Sequence, residues 1–330
     1  MIVVTGGGGF IGSVLLWKLN LEGFNRIVVV DDFGESDKWK NFSKRDIYLT
    51  VHKDDFHSWL KDAGQKEKIE CVFHMGACSS TAEKNMDYLI RNNFNYSISL
   101  FNYCRDFQIP FFYASSAATY GEGAQGYDDE HEKIRHLRPI NPYGFSKQLF
   151  DSWVLKQEKF PPFWAGFKFF NVFGPSEYHK ESMRSLVCKA IPQIQKSKSL
   201  KLFKSYRNGV AHGEQKRDFV YVKDVVEVLY HFWQHSRNRG EIQSGIYNVG
   251  SGTARSFVDL GNAIFKSMQI KSQFEWIEMP QEIKDGYQYF TEANLDRLRN
   301  LAKYEKPFTP LEDAVDDYVK NYLLSADPYI

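Results

Sequence analysis

The chain has 330 residues, 43% of them hydrophobic, which is enough for a continuous core in one large domain or two moderate ones. Its 42 basic and 41 acidic residues leave a formal net charge of +1, which argues against nucleic acid or an anionic membrane as a partner. The four cysteines lack CxxC spacing and the density of a secreted disulfide scaffold. We therefore expect reduced thiols, a cytoplasmic location and no bound metal.

The first residues already have the pattern of a buried strand. Residues 1–5 read MIVVT, which leaves no room for the charged and apolar regions of an export signal. The longest wholly apolar runs, such as residues 27–30, are far shorter than the roughly 20 residues needed to cross a bilayer. We expect neither export nor a membrane span.

The first half alternates short apolar runs with longer amphipathic stretches. The runs predict strands over residues 2–5, 26–31, 71–75 and 111–115. The stretches between them predict helices, one ending near residue 20 and one over about 87–107. Because strand and helix alternate, the pattern predicts an α/β fold with a doubly wound parallel sheet and right-handed crossovers.

Beyond about Asn171 this regularity breaks. Gly174 and Pro175 interrupt the chain, and the polar residues 205–215 predict a loop. Order then returns, with predicted strands at 218–222 and 245–249 and predicted helices at 223–233 and 257–268. We predict a larger domain of residues 1–170, to which 218–250 returns, and a smaller C-terminal domain interleaved from 171–217 and 251–330.

A glycine-rich turn lies between the first predicted strand and helix. Residues 5–12 read TGGGGFIG, with Gly6, Gly9 and Gly12 spaced so that a pyrophosphate can approach the N–H groups of the helix N-terminus. Asp31 ends the second strand, where a carboxylate can accept hydrogen bonds from ribose hydroxyls. The alternative is a plain glycine turn beside a solvated aspartate. The strand, helix and acid together favour a Rossmann-type domain that binds NAD(P).

The residues beside Asp31 leave the choice between NAD and NADP open. Asp31 and Asp32 would repel a 2′-phosphate, whereas Lys38 and Lys53 could pair with it. The charges therefore point in opposite directions.

A second motif has the residues for proton transfer. Tyr143 and Lys147 are four residues apart in a predicted helix that begins after Pro142, so both lie on one helix face. A nearby ammonium stabilises a phenolate, which can remove the proton of a carbinol during hydride transfer. Ser116 follows the fourth strand, where its hydroxyl could hold the reacting oxygen or simply cap the next turn.

These segments, together with KFFNVFGP (168–175) and RDFVYVKDV (217–225), resemble the extended short-chain dehydrogenase/reductase family. Within it, FHMGACSSTAE (73–83) and FNVFGPSEYHKESM (170–183) are similar to members that act on an ADP-linked heptose. The resemblance implies an isomerase that inverts C6 of ADP-D-glycero-β-D-manno-heptose through a transient 6-ketone. It also implies tightly bound NADP, with NAD as the alternative, a homo-oligomer, and a role in supplying precursors of the lipopolysaccharide core.

The resemblance also implies roles for particular residues. Tyr143 would serve one face of C6 and Lys180 the other, although its sequence surroundings alone would make Lys180 a solvated loop lysine. The implied cofactor contacts are Gly6, Gly9, Phe10, Ile11, Gly12, Asp31, Asp32, Lys38, Lys53, Met75, Gly76, Ala77, Cys78, Ser79, Asn92, Lys147, Val172 and Lys180. The implied substrate contacts are Asn171, Ser182, Lys189, Phe203, Arg217 and Tyr287.

Among these residues, Arg217 has a physical role of its own, because a guanidinium can grip a diphosphate with two hydrogen bonds. Its alternative is an exposed arginine paired with Asp218. The family commonly has asparagine at the position of Asp32, glutamate at that of Met75 and histidine at that of Lys189. The extra acid at Asp32 weakens the expectation of NADP.

Two other functions share the generic motifs. One is an NAD-dependent nucleotide-sugar epimerase that acts at C4 of a hexose, and the other is a non-catalytic dinucleotide-sensing module on the same fold. A 4,6-dehydratase fits less well, because Ala117 and Ala118 offer no acid after Ser116. The tyrosine–lysine pair favours an enzyme over a sensor.

Overall fold

The computed structural model describes residues 1–62, 66–237, 240–284 and 287–330, with only the backbone of Glu282 and Ile283. Its strands are β1 (Ile2–Thr5), β2 (Ile27–Asp31), β3 (Leu49–His52), β4 (Cys71–His74), β5 (Phe111–Ser116), β6 (Trp164–Phe169), β7 (Asn171–Phe173), β8 (Leu200–Phe203), β9 (Lys216–Tyr221), β10 (Gly245–Val249), β11 (Ala254–Ser256) and β12 (Phe274–Ile277).

Its α-helices are α1 (Phe10–Leu21), α2 (Phe56–Asp62), α3 (Met86–Leu89), α4 (Tyr96–Asp106), α5 (His131–Ile134), α6 (Pro142–Val154), α7 (Leu186–Ser197), α8 (Val222–Ser236), α9 (Phe257–Ser267), α10 (Gln281–Lys284), α11 (Asp296–Asn300) and α12 (Leu311–Tyr318). A π-helical turn, Ile90–Asn95, joins α3 to α4. None of the helices in the described ranges is long and apolar enough to span a bilayer.

Seven parallel strands form the main sheet, in the order β10-β6-β5-β4-β1-β2-β3. The predicted α/β fold with a doubly wound parallel sheet is therefore confirmed. From β1 the chain adds β2 and β3 on one side of the sheet, and it then crosses over to add β4 on the other side of β1. The strand order reverses between β1 and β4, and this is the switch point of the sheet. In such sheets ligands bind in the crevice at the carboxyl ends of the strands beside the switch point.

The strands of the main sheet are buried on both faces. In β1, Ile2 and Val4 pack into one core with α1 and α8, whereas Val3 packs into the other with α4 and α6. A strand covered on both sides shows a continuous apolar run instead of alternation, which explains why β1 could be predicted from its composition. Helices on both faces therefore fix the position of the main sheet.

Two strands of the main sheet had no prediction. β3 is an edge strand in which only Val51 is buried, so LTVH has no apolar pattern. β6, WAGFKF, contains Gly166 and Lys168, which break an apolar run. Gly166 is required there, because a Cβ at this position would lie 2.3 Å from the ring of Tyr113.

Two small sheets lie outside the main one, β11-β9-β7 and β12-β8. β7 pairs in parallel with β9, which brings Asn171 beside Phe219. Thus β9 joins the small sheet, although the segment 218–250 was expected with the larger domain, while α8 packs on the main sheet and β10 is its edge strand. The proposed domain limits remain a prediction.

Candidate active site

The glycine turn after β1 is shaped by close backbone contacts. Gly6 has φ +68°, and a Cβ there would lie 2.5 Å from the Gly76 nitrogen. A Cβ on Gly12 would lie 2.0 Å from the Gly6 carbonyl oxygen. α1 starts after Gly9 with no side chain capping it, so the N–H groups of its first turn remain available for an anion.

Two adjoining cavities follow the carboxyl edge of the main sheet from this turn. The larger has a volume of about 700 Å³ and the smaller about 280 Å³. Every residue predicted for catalysis or cofactor binding lines one of them: Asp32, Lys53 and Asn92 line the smaller cavity, and all the others line the larger. The glycine cradle, the helix N-terminus and this volume fit a dinucleotide.

Two carboxylates and two lysines meet beside the end of β2, and their charges sum to zero. Asp31 accepts hydrogen bonds from the Gly8 nitrogen at 2.8 Å and the Asp32 nitrogen at 2.7 Å, and it forms an ion pair with Lys38. Lys53 Nζ lies 3.0 Å from an oxygen of Asp32, and this hydrogen bond lowers the pKa of Asp32. Asp31 therefore supports the glycine turn, and both lysines already have carboxylate partners.

Asn93 is a residue of this site that the sequence reasoning did not assign. It is 1% exposed, accepts from the Cys78 nitrogen at 2.8 Å, and donates to the Cys78 oxygen and to Ser146 Oγ, both at 3.0 Å. It thereby ties the loop after β4 to α6. The sequence contains one sign of this role, the adjacent asparagines Asn92 and Asn93 inside a predicted helix. Asparagine does not favour a helix interior, so its presence there suggests a specific hydrogen-bond partner.

The helix that carries Tyr143 starts as predicted, with Pro142 in its first turn and the Asn141 side chain accepting from the Gly144 nitrogen at 2.7 Å. Burial raises the pKa of Tyr143, and a hydrogen bond with Ser116 lowers it. Lys147 donates to the Ala114 carbonyl at 2.7 Å, and burial lowers its pKa to about 8.

Ser116 caps the next turn, as one of its two expected roles requires, and its other expected role, holding the reacting oxygen, stays a prediction. Its Oγ accepts from the Ala118 nitrogen at 3.1 Å, which caps the turn after β5, while the same hydroxyl contacts Tyr143. The turn thus fixes Ser116 beside the phenol.

A buried ion pair lies beneath these groups. Asp151 and Lys168 are fully buried and 2.6 Å apart. Asp151 also accepts from Ser115 Oγ at 2.6 Å and Tyr113 Oη at 3.1 Å, and Lys168 donates to Thr119 Oγ1 at 2.7 Å. The network fixes the end of β5, next to Ser116.

Replacing Asp151 by asparagine is expected to reduce the free energy of unfolding by about 3–5 kcal/mol, because it leaves the Lys168 charge buried without its partner. Urea unfolding measures the change. Glu67→Gln breaks the exposed ion pair with Arg26 and is expected to have little effect. Equal small losses for both variants would contradict the prediction.

His74, at the end of β4, is held neutral. It is 3% exposed and hydrogen-bonded to Thr5 Oγ1 at 2.7 Å and to Ser97 Oγ at 2.8 Å. Burial lowers the pKa of His74 from 6.5 to about 3.

Between these pH values the unfolded chain binds a proton that the folded protein excludes, so acid favours unfolding. We expect His74 to make stability fall by up to about 1.4 kcal/mol per unit as the pH decreases below 6.5. Other buried histidines also have lowered pKa values, so in His74→Gln the slope of the urea unfolding free energy between pH 5 and 7 is expected to be shallower by the share of His74, not absent. The exposed His52→Gln is the control, and an unchanged slope in His74→Gln would refute the prediction.

Lys180 lies in the 3₁₀ turn Tyr178–Met183, at the wall of the larger cavity. It is half-buried, with its Nζ 5.2 Å from the centroid of the Phe10 ring. Burial lowers the pKa of Lys180, and the nearby Glu177 raises it. The expectation from its sequence surroundings, a solvated loop lysine, is therefore wrong.

The predicted substrate residues are less closely grouped. Asn171 lines the larger cavity, whereas the other five line neither cavity: Ser182, Lys189, Phe203, Arg217 and Tyr287. Lys189 Nζ donates to the Ser182 carbonyl at 3.4 Å. Phe203 lies at the end of β8. These assignments stay predictions.

Arg217 is buried, with 6% of its surface exposed. Its guanidinium lies 5.0 Å from the centroid of Tyr287 and 5.9 Å from that of Phe257, a residue of the cavity wall. Asp218 instead accepts from the nitrogens of Ser251, Gly252 and Ala293. The alternative of an exposed arginine paired with Asp218 is therefore wrong.

Fold and cavity together define a class of protein, the nicotinamide-dependent enzymes of the short-chain dehydrogenase type. More particularly, the chain belongs to the NAD dependent epimerase/dehydratase family, whose model matches residues 2–250. The cofactor is accordingly a nicotinamide dinucleotide. The resemblance found in the sequence is confirmed.

Similar proteins narrow the comparison. Relatives from Fusobacterium nucleatum (46% identical over 338 residues) and Nitratidesulfovibrio vulgaris (45% over 330) match across 100% of both chains, and both are named ADP-L-glycero-D-manno-heptose-6-epimerase. The crystal structure of the Helicobacter pylori protein of that name superposes with a TM-score of 0.78 at 26% identity, covering 97% of this chain and 95% of that one. A UDP-N-acetylglucosamine 4-epimerase from Methanobrevibacter ruminantium, 23% identical with a TM-score of 0.78 over 97% of this chain and 96% of that one, shares the fold.

Proposed function

We propose that this chain is an isomerase that converts ADP-D-glycero-β-D-manno-heptose to ADP-L-glycero-β-D-manno-heptose by inverting C6. The observation that carries the proposal is that Tyr143 and Lys180, from two different elements, line the same cavity as the glycine turn. Full-length relatives at 45–46% identity are named for this reaction. Inversion through a ketone needs proton transfer at each face of C6, and two separate groups can provide it.

The bound nicotinamide would supply a reversible hydride acceptor for oxidation of the C6 carbinol to the 6-ketone. Tyr143 would accept or return the hydroxyl proton at one face, with Ser116 holding the oxygen. Lys147 stays largely protonated at pH 7, because its pKa is about 8, and its positive charge favours the phenolate. These three residues come from α6 and the end of β5.

Lys180 would transfer the proton at the other face. A lysine acts as a base only when its pKa is lowered, and burial lowers the pKa of Lys180 here. Glu177 works in the opposite direction and partly offsets the effect of burial on the pKa of Lys180.

The sugar nucleotide would bind against the smaller domain. We assign Asn171, Ser182, Lys189, Phe203, Arg217 and Tyr287 to its binding. Arg217, buried between two aromatic rings, would grip the diphosphate. We further propose a cytoplasmic homo-oligomer that supplies precursors for the lipopolysaccharide core.

The test is to incubate the purified protein with ADP-D-glycero-β-D-manno-heptose, without added cofactor, and to follow the C6 configuration by NMR. Denaturation then releases the bound nucleotide for identification. Conversion to the L-glycero epimer supports the proposal. Absence of conversion, with turnover of a UDP-hexose at C4 instead, would replace it with the 4-epimerase alternative.

We propose NADP as the cofactor, since two lysines line the smaller cavity beside Asp31. Asp31 and Asp32 cancel the positive charge of these lysines. The attraction for a 2′-phosphate is therefore small, and discrimination against NAD should be weak. Asp32→Asn frees Lys53 and removes one negative charge, and we expect it to raise the affinity ratio of NADP to NAD by about tenfold, or 1.4 kcal/mol.

Titration of the cofactor-free protein with each dinucleotide measures this ratio. Asp54→Asn, which removes the same charge from an exposed position outside both cavities, is the matched control. A ratio that stays constant in Asp32→Asn would refute the prediction.

A further inference from the structure

Two side chains connect the turn that carries Lys180 to the glycine turn after β1. Asn41 Nδ2 donates to the Gly8 carbonyl at 2.9 Å and lies 2.9 Å from Nδ1 of His179, the residue before Lys180. Asn41 is 2% exposed. Because the Gly8 carbonyl can only accept, the amide must present its nitrogen to it, which leaves His179 Nδ1 as the second acceptor.

The charge state of His179 agrees with this geometry. Burial, together with the positive charges of Lys38 and Lys180, lowers the pKa of His179 to about 4. The ring is therefore neutral at physiological pH and can accept at Nδ1. A protonated ring would lose this hydrogen bond and would place a second cation beside Lys180.

The same turn is strained and is held from other sides as well. Glu181, directly after Lys180, has φ +47°, a conformation that persists only where surrounding contacts maintain it. Tyr178 Oη donates to the Pro328 carbonyl at 2.7 Å, and Ser185 Oγ donates to Glu177 at 2.6 Å. Of these contacts, the one through His179 alone reaches the glycine turn.

We propose that Asn41 and His179 are positioning residues that hold the Lys180 amine over the start of α1. The bridge couples the placement of Lys180 to the backbone that would bind the cofactor pyrophosphate. This inference rests on the proposed role of Lys180 as the second proton-transfer group. Neither Asn41 nor His179 needs to touch the reacting atoms.

The test combines hydrogen exchange with kinetics in Asn41→Ala, His179→Ala and the double variant. We expect faster amide exchange in peptides covering residues 177–185, and a loss of about tenfold in kcat at unchanged KM and unchanged cofactor content. Because both residues act through one hydrogen bond, the double variant is expected to be no slower than the slower single variant. His179→Gln, whose amide oxygen can accept the same bond, is expected to recover most of the activity.

Asn20→Ala is the matched control. Asn20 binds the segment that follows Asn41: its amide nitrogen donates to the Asp46 carbonyl at 2.8 Å, and its amide oxygen accepts from the Asp46 nitrogen at 2.9 Å. Neither of these hydrogen bonds involves His179. Multiplicative losses of about a hundredfold in the double variant, unchanged exchange at 177–185, or an equal effect of Asn20→Ala would each overturn the inference. If the variants exchange faster at 177–185 but the wild type does not epimerise the ADP-heptose, the proposed function is refuted and the bridge between Asn41 and His179 still stands.

Discussion

Tyr143→Phe is expected to lower kcat by about a thousandfold while the protein keeps its cofactor and its fold. The substitution removes only the phenol hydroxyl, and this hydroxyl is the group that contacts Ser116 at the cavity wall. Without it, the cavity wall beside Ser116 loses the group proposed to accept the carbinol proton. The ring still fills its buried position, so the loss is expected in kcat rather than in the free energy of unfolding.

The measurement is the rate of change at C6 by NMR, together with the nucleotide released on denaturation. Tyr103→Phe is the control, because its hydroxyl donates to the Leu60 carbonyl at 3.3 Å, away from both cavities. A variant that keeps more than a tenth of the wild-type rate would exclude Tyr143 as the proton-transfer group.

Lys180→Met is expected to abolish epimerisation to a similar degree, by about a thousandfold, with cofactor still bound. Methionine has a similar length and suits the half-buried site against Phe10, but it has no amine. Retained turnover would eliminate Lys180 as a base. Lys196→Met, on the exposed side of α7, is the control.

Comparison of the two variants tests whether two bases serve two faces. If each group serves one face, the 6-ketone should accumulate from only one C6 epimer in Lys180→Met and from the other epimer in Tyr143→Phe. Reduction with borodeuteride followed by mass spectrometry detects the trapped ketone. Accumulation from the same epimer in both variants would contradict the two-base scheme.

Local sequence patterns were sufficient for five of the seven strands of the main sheet and for one wall of the site. β1, β4, β5 and β10 are short apolar runs, because each is covered by helices on both faces, and the glycine turn follows β1 directly. Tyr143 and Lys147 lie on one face of α6 by virtue of their spacing alone. In each case the residues that matter are within a few positions of one another, so helix or strand geometry already relates them.

Only the tertiary structure related residues that are far apart in the chain. Lys180 becomes half-buried because its turn folds against Phe10, about half the chain away, and without that contact a loop lysine is solvated. The ion pair of Asp151 with Lys168, beneath Ser116, likewise joins α6 to β6. The edge strand β3 and the place of β9 in the small sheet depend on the partner strand rather than on an apolar pattern. Burial, and with it the lowered pKa of Lys180, depends on which distant segments cover a side chain, and no local pattern contains that information.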